Sequence, residues 1–308
     1  MKNTYIICFD VGGNTIKSAV LNNEGELVCQ IQNFPSMAVC SKDIILQNFA
    51  HIFEVLLGYI PDKENIRGIC FAFPGEFDYE NGICLMKGVA KYDALFQVNL
   101  KEEFKHLFEV EPVLSCLKGV PISFLNDVSG FAIGECALGK AHMFSKVMYL
   151  CIGTGCGSAF SIDGCFSTDE TKGIPPKGWV YNTPFRDSII DDYISIRGLK
   201  ELSGKFMKEP LSGLDLFHLA QKNDSNALAC FLEFGKMIQE AISPFLESFS
   251  PDCVVFGGQI SNSFSYFSEG FLFLDRIKFV YHSAETSLRT LQGLALISKN
   301  YKEKKGYE

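Results

Sequence analysis

No apolar run in the 308-residue chain is long enough to cross a bilayer, and Asp10 interrupts Ile6-Ile7-Cys8-Phe9 before it could serve as a signal-peptide core. A cytoplasmic location is expected. Positive charge is also short. With 28 Lys and Arg against 36 Asp and Glu, the net charge of −8 gives no footprint for nucleic acid or anionic lipid, so neither is expected as a partner. Histidine is scarce, five residues without a short-range pair, which leaves a His-based metal site unsupported. Cysteine is plentiful at twelve, yet no CxxC pair occurs and the closest two are Cys151 and Cys156, so the ligand spacing of a zinc site is missing. Cys8, Cys70, Cys151 and Cys253 sit in short apolar runs, where a free thiol acts as a small hydrophobe. Low-complexity linkers are absent as well.

What remains is a composition of 47% hydrophobic and 21% charged residues, that of a packed globular chain with the length for two domains. Tyr5 to Leu21 reads as a hairpin turning at Asp10-Val11-Gly12-Gly13-Asn14, and Glu26–Ile31 as a third strand. Apolar residues at Ile45, Phe49, Ile52, Phe53, Leu56 and Leu57 have helical spacing, and Ile66–Phe73 is a buried strand feeding Pro74-Gly75. Further on come a helix at Leu100–Phe108, a strand at Ile122–Leu125, a helix at Val128–Ala137, a hairpin at Gly153-Thr154-Gly155 and a strand at Val254–Phe256. Two similar α/β lobes are the expected architecture, with a crossing near Lys118–Pro121. Ser161 to Asp187, rich in Gly, Pro, Asp and Thr, reads as a long irregular excursion.

Three glycine-rich turns follow apolar strands: Gly12-Gly13, Gly153-Thr154-Gly155 and Gly257-Gly258. The first is neither a Walker loop nor a Rossmann fingerprint, because neither GxxxxGK nor GxGxxG is present there and the following element is a strand. A glycine hairpin can still bring backbone N–H groups against an anion, with a nearby carboxylate such as Asp10 holding a cation; equally, it can be a tight turn and nothing more. Asn126-Asp127 ends a buried strand and starts a helix. Such a pair caps helices, and a carboxylate at that place can also deprotonate a hydroxyl.

Taken in order, Asp10-Val11-Gly12-Gly13, Phe73-Pro74-Gly75, Asn126-Asp127, Gly153-Thr154-Gly155 and Gly257-Gly258 resemble the ROK family of sugar kinases and repressors, from about Tyr5 to Ile297. The resemblance implies an α/β, two-lobed actin-like ATPase (ribonuclease H-like) fold with duplicated βββαβαβα lobes. Residues 1–119 would form the first lobe, joined by a C-terminal helix at about 287–308, and residues 120–286 the second. ATP and sugar would lie between them. It implies that Asp10, Gly12, Gly13, Asn14, Thr15 and Lys17 form the first phosphate hairpin, with Asp10 holding Mg²⁺ through water. Gly153, Thr154 and Gly155 would form the second hairpin, and Gly257-Gly258 the adenosine turn. Asp127 would be the catalytic base, with Gly75, Asn126, Asp127, Asn182 and Asp191 contacting the sugar.

Three departures stand out. Asn14 replaces the usual Thr. Trp179 and Asn182 stand where relatives have a sugar-binding Glu and His, and Asp191 where a second Glu is usual. Cys165 and Cys230 have no cysteine between them, so the family's zinc knuckle is missing and no structural zinc is expected. With Asp10 ten residues from the start, the repressors' winged-helix domain is not expected. The expectation is an ATP- and Mg²⁺-dependent kinase of a hexose or amino sugar, glucokinase-like or N-acetylmannosamine kinase-like. The alternatives are a catalytically weak sugar or nucleotide sensor and an ATPase acting on protein partners. A homodimer is the assembly the resemblance allows.

Overall fold

The computed structural model of the protein describes residues 4–89, 91–271 and 277–303. It divides into two compact units: the chain up to Leu138 together with the chain from Ser287, and Gly139–Thr286. Residues 304–308, the tail of the expected C-terminal helix, lie outside the described residues.

The first unit is built on β1 (Tyr5–Val11), β2 (Thr15–Leu21), β3 (Gln32–Pro35), α1 (Lys42–Leu57), β4 (Ile66–Phe73), α2 (Leu100–Val110), β5 (Ile122–Asn126) and α3 (Asp127–Leu138). Its sheet runs β3-β2-β1-β4-β5, antiparallel across the first three strands and parallel from β1 onward. The near-continuous apolar stretches of β1 and β4 suit central strands covered on both faces. In-register Phe9, Phe71 and Phe124 stack across β1, β4 and β5 with ring centroids 4.5 and 5.0 Å apart. Phe49 and Phe53 of α1 meet Phe9 and Phe71 edge-on, while Phe104 of α2 stacks on Phe71 at 4.9 Å. Both ring geometries are favoured by the aromatic quadrupole.

The second unit repeats the plan with β6 (Lys146–Ile152), β7 (Cys156–Ile162), β8 (Cys165–Phe166), α4 (Ile196–Ser203), α5 (Gly213–Gln221), α6 (Ser225–Phe249), β9 (Cys253–Gly257) and β10 (Phe279–His282). The sheet order β8-β7-β6-β9-β10 reproduces the order of the first. Both units thus carry an antiparallel meander extended by two parallel strands, as expected of a duplication. The last helix, α7 (Thr286–Glu303), places Leu291, Leu294 and Ala295 in the first unit's core. It crosses α3 closely: a Cβ on Gly134 would stand 1.8 Å from the Arg289 carbonyl oxygen, and one on Gly293 would stand 2.0 Å from that of Gly130.

Two expectations need correction. The third strand is not Glu26–Ile31. That stretch makes an isolated bridge, Leu21 with Leu27, and Cys29 turns its sulfur inward to accept the Val20 N–H, so the strand forms later, at Gln32–Pro35. The unit boundary falls after Leu138 rather than at residue 119, because β5 pairs in register with β4 and α3 packs on α7. Lys118–Pro121 is the loop that feeds β5, not a crossing. The excursion after β7 is irregular apart from two-residue strands such as Pro184–Phe185 with Ser188–Ile189. Cys8, Cys70 and Cys253 are buried and Cys151 half-buried, none of the four in a disulfide.

Candidate functional site

In the first unit, the strand register gathers the chemistry-bearing residues at one sheet edge. Asp10 lies opposite Ala72, and Phe73 opposite Asn126, so Asp10, the Pro74-Gly75 loop and Asn126-Asp127 all stand at the carboxyl ends of the parallel strands. This is the edge at which open α/β sheets bind ligands.

The first hairpin closes with the Gly12 N–H donating to the Thr15 carbonyl at 3.0 Å, and a Cβ on Gly12 would lie 2.8 Å from that oxygen. The turn is fixed from outside. The Tyr92 hydroxyl donates to the Gly12 carbonyl at 2.9 Å, the Ser36 hydroxyl to that of Gly13 at 2.6 Å, and the Ser36 N–H to that of Asn14 at 3.0 Å. Among the described residues, the N–H groups of Gly13 and Asn14 make no hydrogen bond. They are a pair of adjacent donors on exposed or half-exposed backbone, the arrangement that receives an anion.

Asp10 and Lys17 face each other across the hairpin. The Lys17 ammonium donates to Ser287 Oγ at 2.7 Å. Burial raises the Asp10 carboxyl above the ordinary carboxylate range, against the opposing pull of Ser287 and Lys17.

Asn126 caps α3, its side-chain oxygen accepting the N–H groups of Val128 and Ser129 at 3.1 and 3.2 Å. Its amide donates to the Tyr79 hydroxyl at 3.3 Å, and that hydroxyl lies 2.9 Å from the Gly75 carbonyl. Gly75 has a φ of +74°, and a Cβ there would stand 2.7 Å from Met86 Sδ, so the position requires glycine. The half-buried Asp127 carboxyl is pushed up to about 6, first by desolvation and then by the charge of Asp10, with the Val128 N–H and the Lys91 ammonium opposing. Cap and base readings therefore divide between neighbours: Asn126 supplies the main cap, and Asp127 has the raised affinity for a proton that a general base needs.

In the second unit, the Gly153 N–H donates to the Gly155 carbonyl at 2.9 Å, and the N–H groups of Thr154 and Gly155 make no hydrogen bond among the described residues. The free donor pair of the first hairpin is thus repeated. Asp191, the expected sugar contact, also has partners within the second unit. Its Oδ1 accepts the Cys156 N–H at 2.7 Å and occupies the space beside Gly155, where a Cβ would be 2.6 Å away; Arg197 approaches its other oxygen at 3.4 Å. Gly258, with a φ of +85°, passes so close to Ile152 that a Cβ would lie 2.5 Å from the Ile152 carbonyl oxygen, and its N–H donates to Thr286 Oγ1 at 3.2 Å. Gly257 pairs with Cys151, which brings the third glycine turn beside the base of the second hairpin.

Asn182 is exposed. Trp179 is half-buried, 5.7 Å from the Tyr181 ring and with the Lys177 ammonium 4.7 Å above it, rather than packed in the core. Val180 between them is buried, its N–H held by Ser158 Oγ at 2.9 Å. Among the described residues no three His, Cys, Asp or Glu side chains gather as a metal-holding group. Sequence reasoning missed Tyr79, Lys91, Tyr92 and Ser287, which come to the site from loops or from the far end of the chain and carry no local motif.

The ROK family model matches residues 6–271. The chain belongs to the ROK family. It is 22% identical over 274 residues to a β-glucoside kinase of Listeria innocua, covering 86% of this chain and 85% of that protein. It is 24% identical over 275 residues to an N-acetyl-D-glucosamine kinase of Aliivibrio fischeri, covering 82% and 84%. Among solved ROK structures, a Streptomyces griseus glucokinase in complex with glucose and AMPPNP superposes with a TM-score of 0.73 at 14% identity, over 96% of this chain and 99% of that one. The fold is the actin-like ATPase fold of these ROK proteins, with its duplicated α/β unit.

Proposed function

We propose that this ROK protein is a kinase that transfers the γ-phosphoryl group of ATP to a hydroxyl of a hexose or amino sugar. The observation that carries the reading is Asp127, a carboxyl at the strand ends whose affinity for protons is raised and which shares one edge with a hairpin holding two unpaired N–H donors. The relatives named above differ in their sugar and agree on a sugar as acceptor.

The hydroxyl oxygen of the sugar forms a bond to Pγ as the bond from Pγ to the bridging oxygen breaks, the electron pair leaving on ADP. Asp127 takes the hydroxyl proton, late, as the bond to phosphorus develops. The free N–H groups of Gly13 and Asn14, and of Thr154 and Gly155, are donors for phosphate oxygens, and Gly257-Gly258 is the turn against which adenosine lies. Asn126 and Gly75, held together by Tyr79, present the sugar side, while Asp191 positions the second hairpin. Asp10 fits Mg²⁺: a single hard oxygen donor suits an ion that takes its other ligands from water and phosphate. When bound, that ion neutralises phosphate charge. The cytoplasm, where ATP is abundant, is the location that fits.

The test is a coupled ADP-release screen over hexoses, amino sugars and β-glucosides with Mg²⁺ present. Sugar-dependent ADP release confirms the kinase. Turnover that ignores every sugar supports an ATPase, and nucleotide binding without turnover supports a sensor.

A further inference from the structure

Lys91 belongs to none of the motifs, yet its stem lies beside the first glycine hairpin. Tyr92 is fully buried in a left-handed backbone conformation (φ 59°), which L-residues rarely adopt outside places that demand it. Its N–H donates to the Ala38 carbonyl at 2.6 Å, its hydroxyl to the Gly12 carbonyl at 2.9 Å, and its ring packs on Phe73 with centroids 5.1 Å apart. These contacts clamp the segment onto the turn. They lay the Lys91 stem beside Gly13, where a Cβ would stand 3.2 Å from Lys91 Cδ.

The half-exposed Lys91 ammonium has no hydrogen bond or ion pair among the described residues, although its charge is felt at Asp127. The other lysine of the hairpin, Lys17, is engaged with Ser287. A site with two carboxylates, Asp10 and Asp127, is unfavourable for a triphosphate unless cations offset it, and charge accumulates on the γ-phosphoryl oxygens in the transition state.

Resting on the kinase reading, we propose that Lys91 is a further catalytic residue, whose ammonium binds the γ-phosphoryl group as it passes between the Gly13 turn and Asp127. The sugar hydroxyl and ADP keep the roles given above, and Lys91 donates hydrogen bonds without losing its proton.

The test uses Lys91→Met, which keeps the length of the stem, and Lys91→Arg, which keeps the charge. Calorimetric titration with Mg·AMPPNP and with Mg·ADP reads the γ-phosphate contact apart from turnover. Expected for Lys91→Met are a kcat about 100-fold lower, a KM for sugar changed less than about threefold, and AMPPNP bound about tenfold more weakly while ADP is held as before. Lys91→Arg should recover at least a tenth of the parental kcat. Equal loss for both nucleotides, or a Lys91→Met kcat within threefold of the parent, overturns the assignment. A shift confined to the sugar KM overturns it too, by making Lys91 a sugar contact. If Lys91→Met does not fold, the Lys91→Arg titrations carry the comparison. A parent that forms no ADP with any sugar defeats the kinase reading; an active parent with an equally active Lys91→Met defeats this inference alone.

Discussion

Asp127 and Asn126 adjoin at the start of α3 and do different work, because one side chain completes the helix cap while the other is held in a dehydrated place beside a second carboxylate. Asp127→Asn keeps the shape, and with it the fold by circular dichroism, while removing the proton acceptor; kcat should fall by about 100-fold or more. The parent's rate should also depend on pH through this group. With its carboxyl pushed up to about 6, Asp127 is increasingly protonated below that pH, so kcat should drop there by about tenfold per pH unit, whereas a rate flat down to pH 5 would argue against its role. The same shift has a consequence for stability. Between the ordinary carboxylate range and about 6, the folded protein binds more protons than the unfolded chain, so stability falls as pH rises through this window. Asp127→Asn should therefore melt above the parent at pH 7 and lose that advantage at pH 4. At this scale the sequence exposed Asp127 and Asn126 through their place after a strand. It could not expose Lys91 or Tyr79, which reach the same edge from loops whose paths depend on packing.

At the scale of elements, glycine does two distinct things here. In the hairpins it leaves backbone donors open, a property legible from three glycine-rich turns each following an apolar strand. In α3 it lets α7 approach to backbone contact, and nothing in the helix pattern of Asp127–Leu138 reveals that, because the partner lies about 150 residues further along the chain. Gly134→Ala would place a methyl 1.8 Å from the Arg289 carbonyl oxygen, and neither backbone can yield without moving a helix. The expected cost is about 3 kcal/mol, at the upper end for overpacking, measured by urea unfolding. A cost under 0.5 kcal/mol would show that the two helices separate easily. The displaced third strand has a similar origin: Glu26–Ile31 has strand-like residues, but the tertiary position of Cys29 uses up the Val20 N–H.

For the whole molecule, the first unit is assembled from both ends of the chain. Ending the chain before Ser287 removes Leu291, Leu294 and Ala295 from that unit's core and bares the glycine face of α3, so the shortened protein should show loss of the first unit's amide protection in hydrogen exchange while Gly139–Thr286 keeps its own. Retained protection throughout would contradict this account of the core. Zinc should play no part in stability: treatment with a chelator should leave the melting temperature unchanged, although sugar phosphorylation should stop until Mg²⁺ is restored.

The sequence by itself determined the duplicated α/β plan, the strands that end in glycine turns and the carboxylate after β5, since each rests on local apolar period and turn chemistry. Tertiary structure alone decided where the first unit ends, because β5 joins whichever sheet offers it a partner strand, and β4 does so in register. It alone turned Asp191 toward the second hairpin, where the Cys156 N–H offers its carboxylate a hydrogen bond at 2.7 Å. It alone brought Lys91 beside Gly13, by a buried tyrosine whose contacts lie some 50 and 80 residues away. Local pattern specifies which segment forms which element. Which side chains meet depends on long-range pairing and on the space that a missing Cβ leaves open.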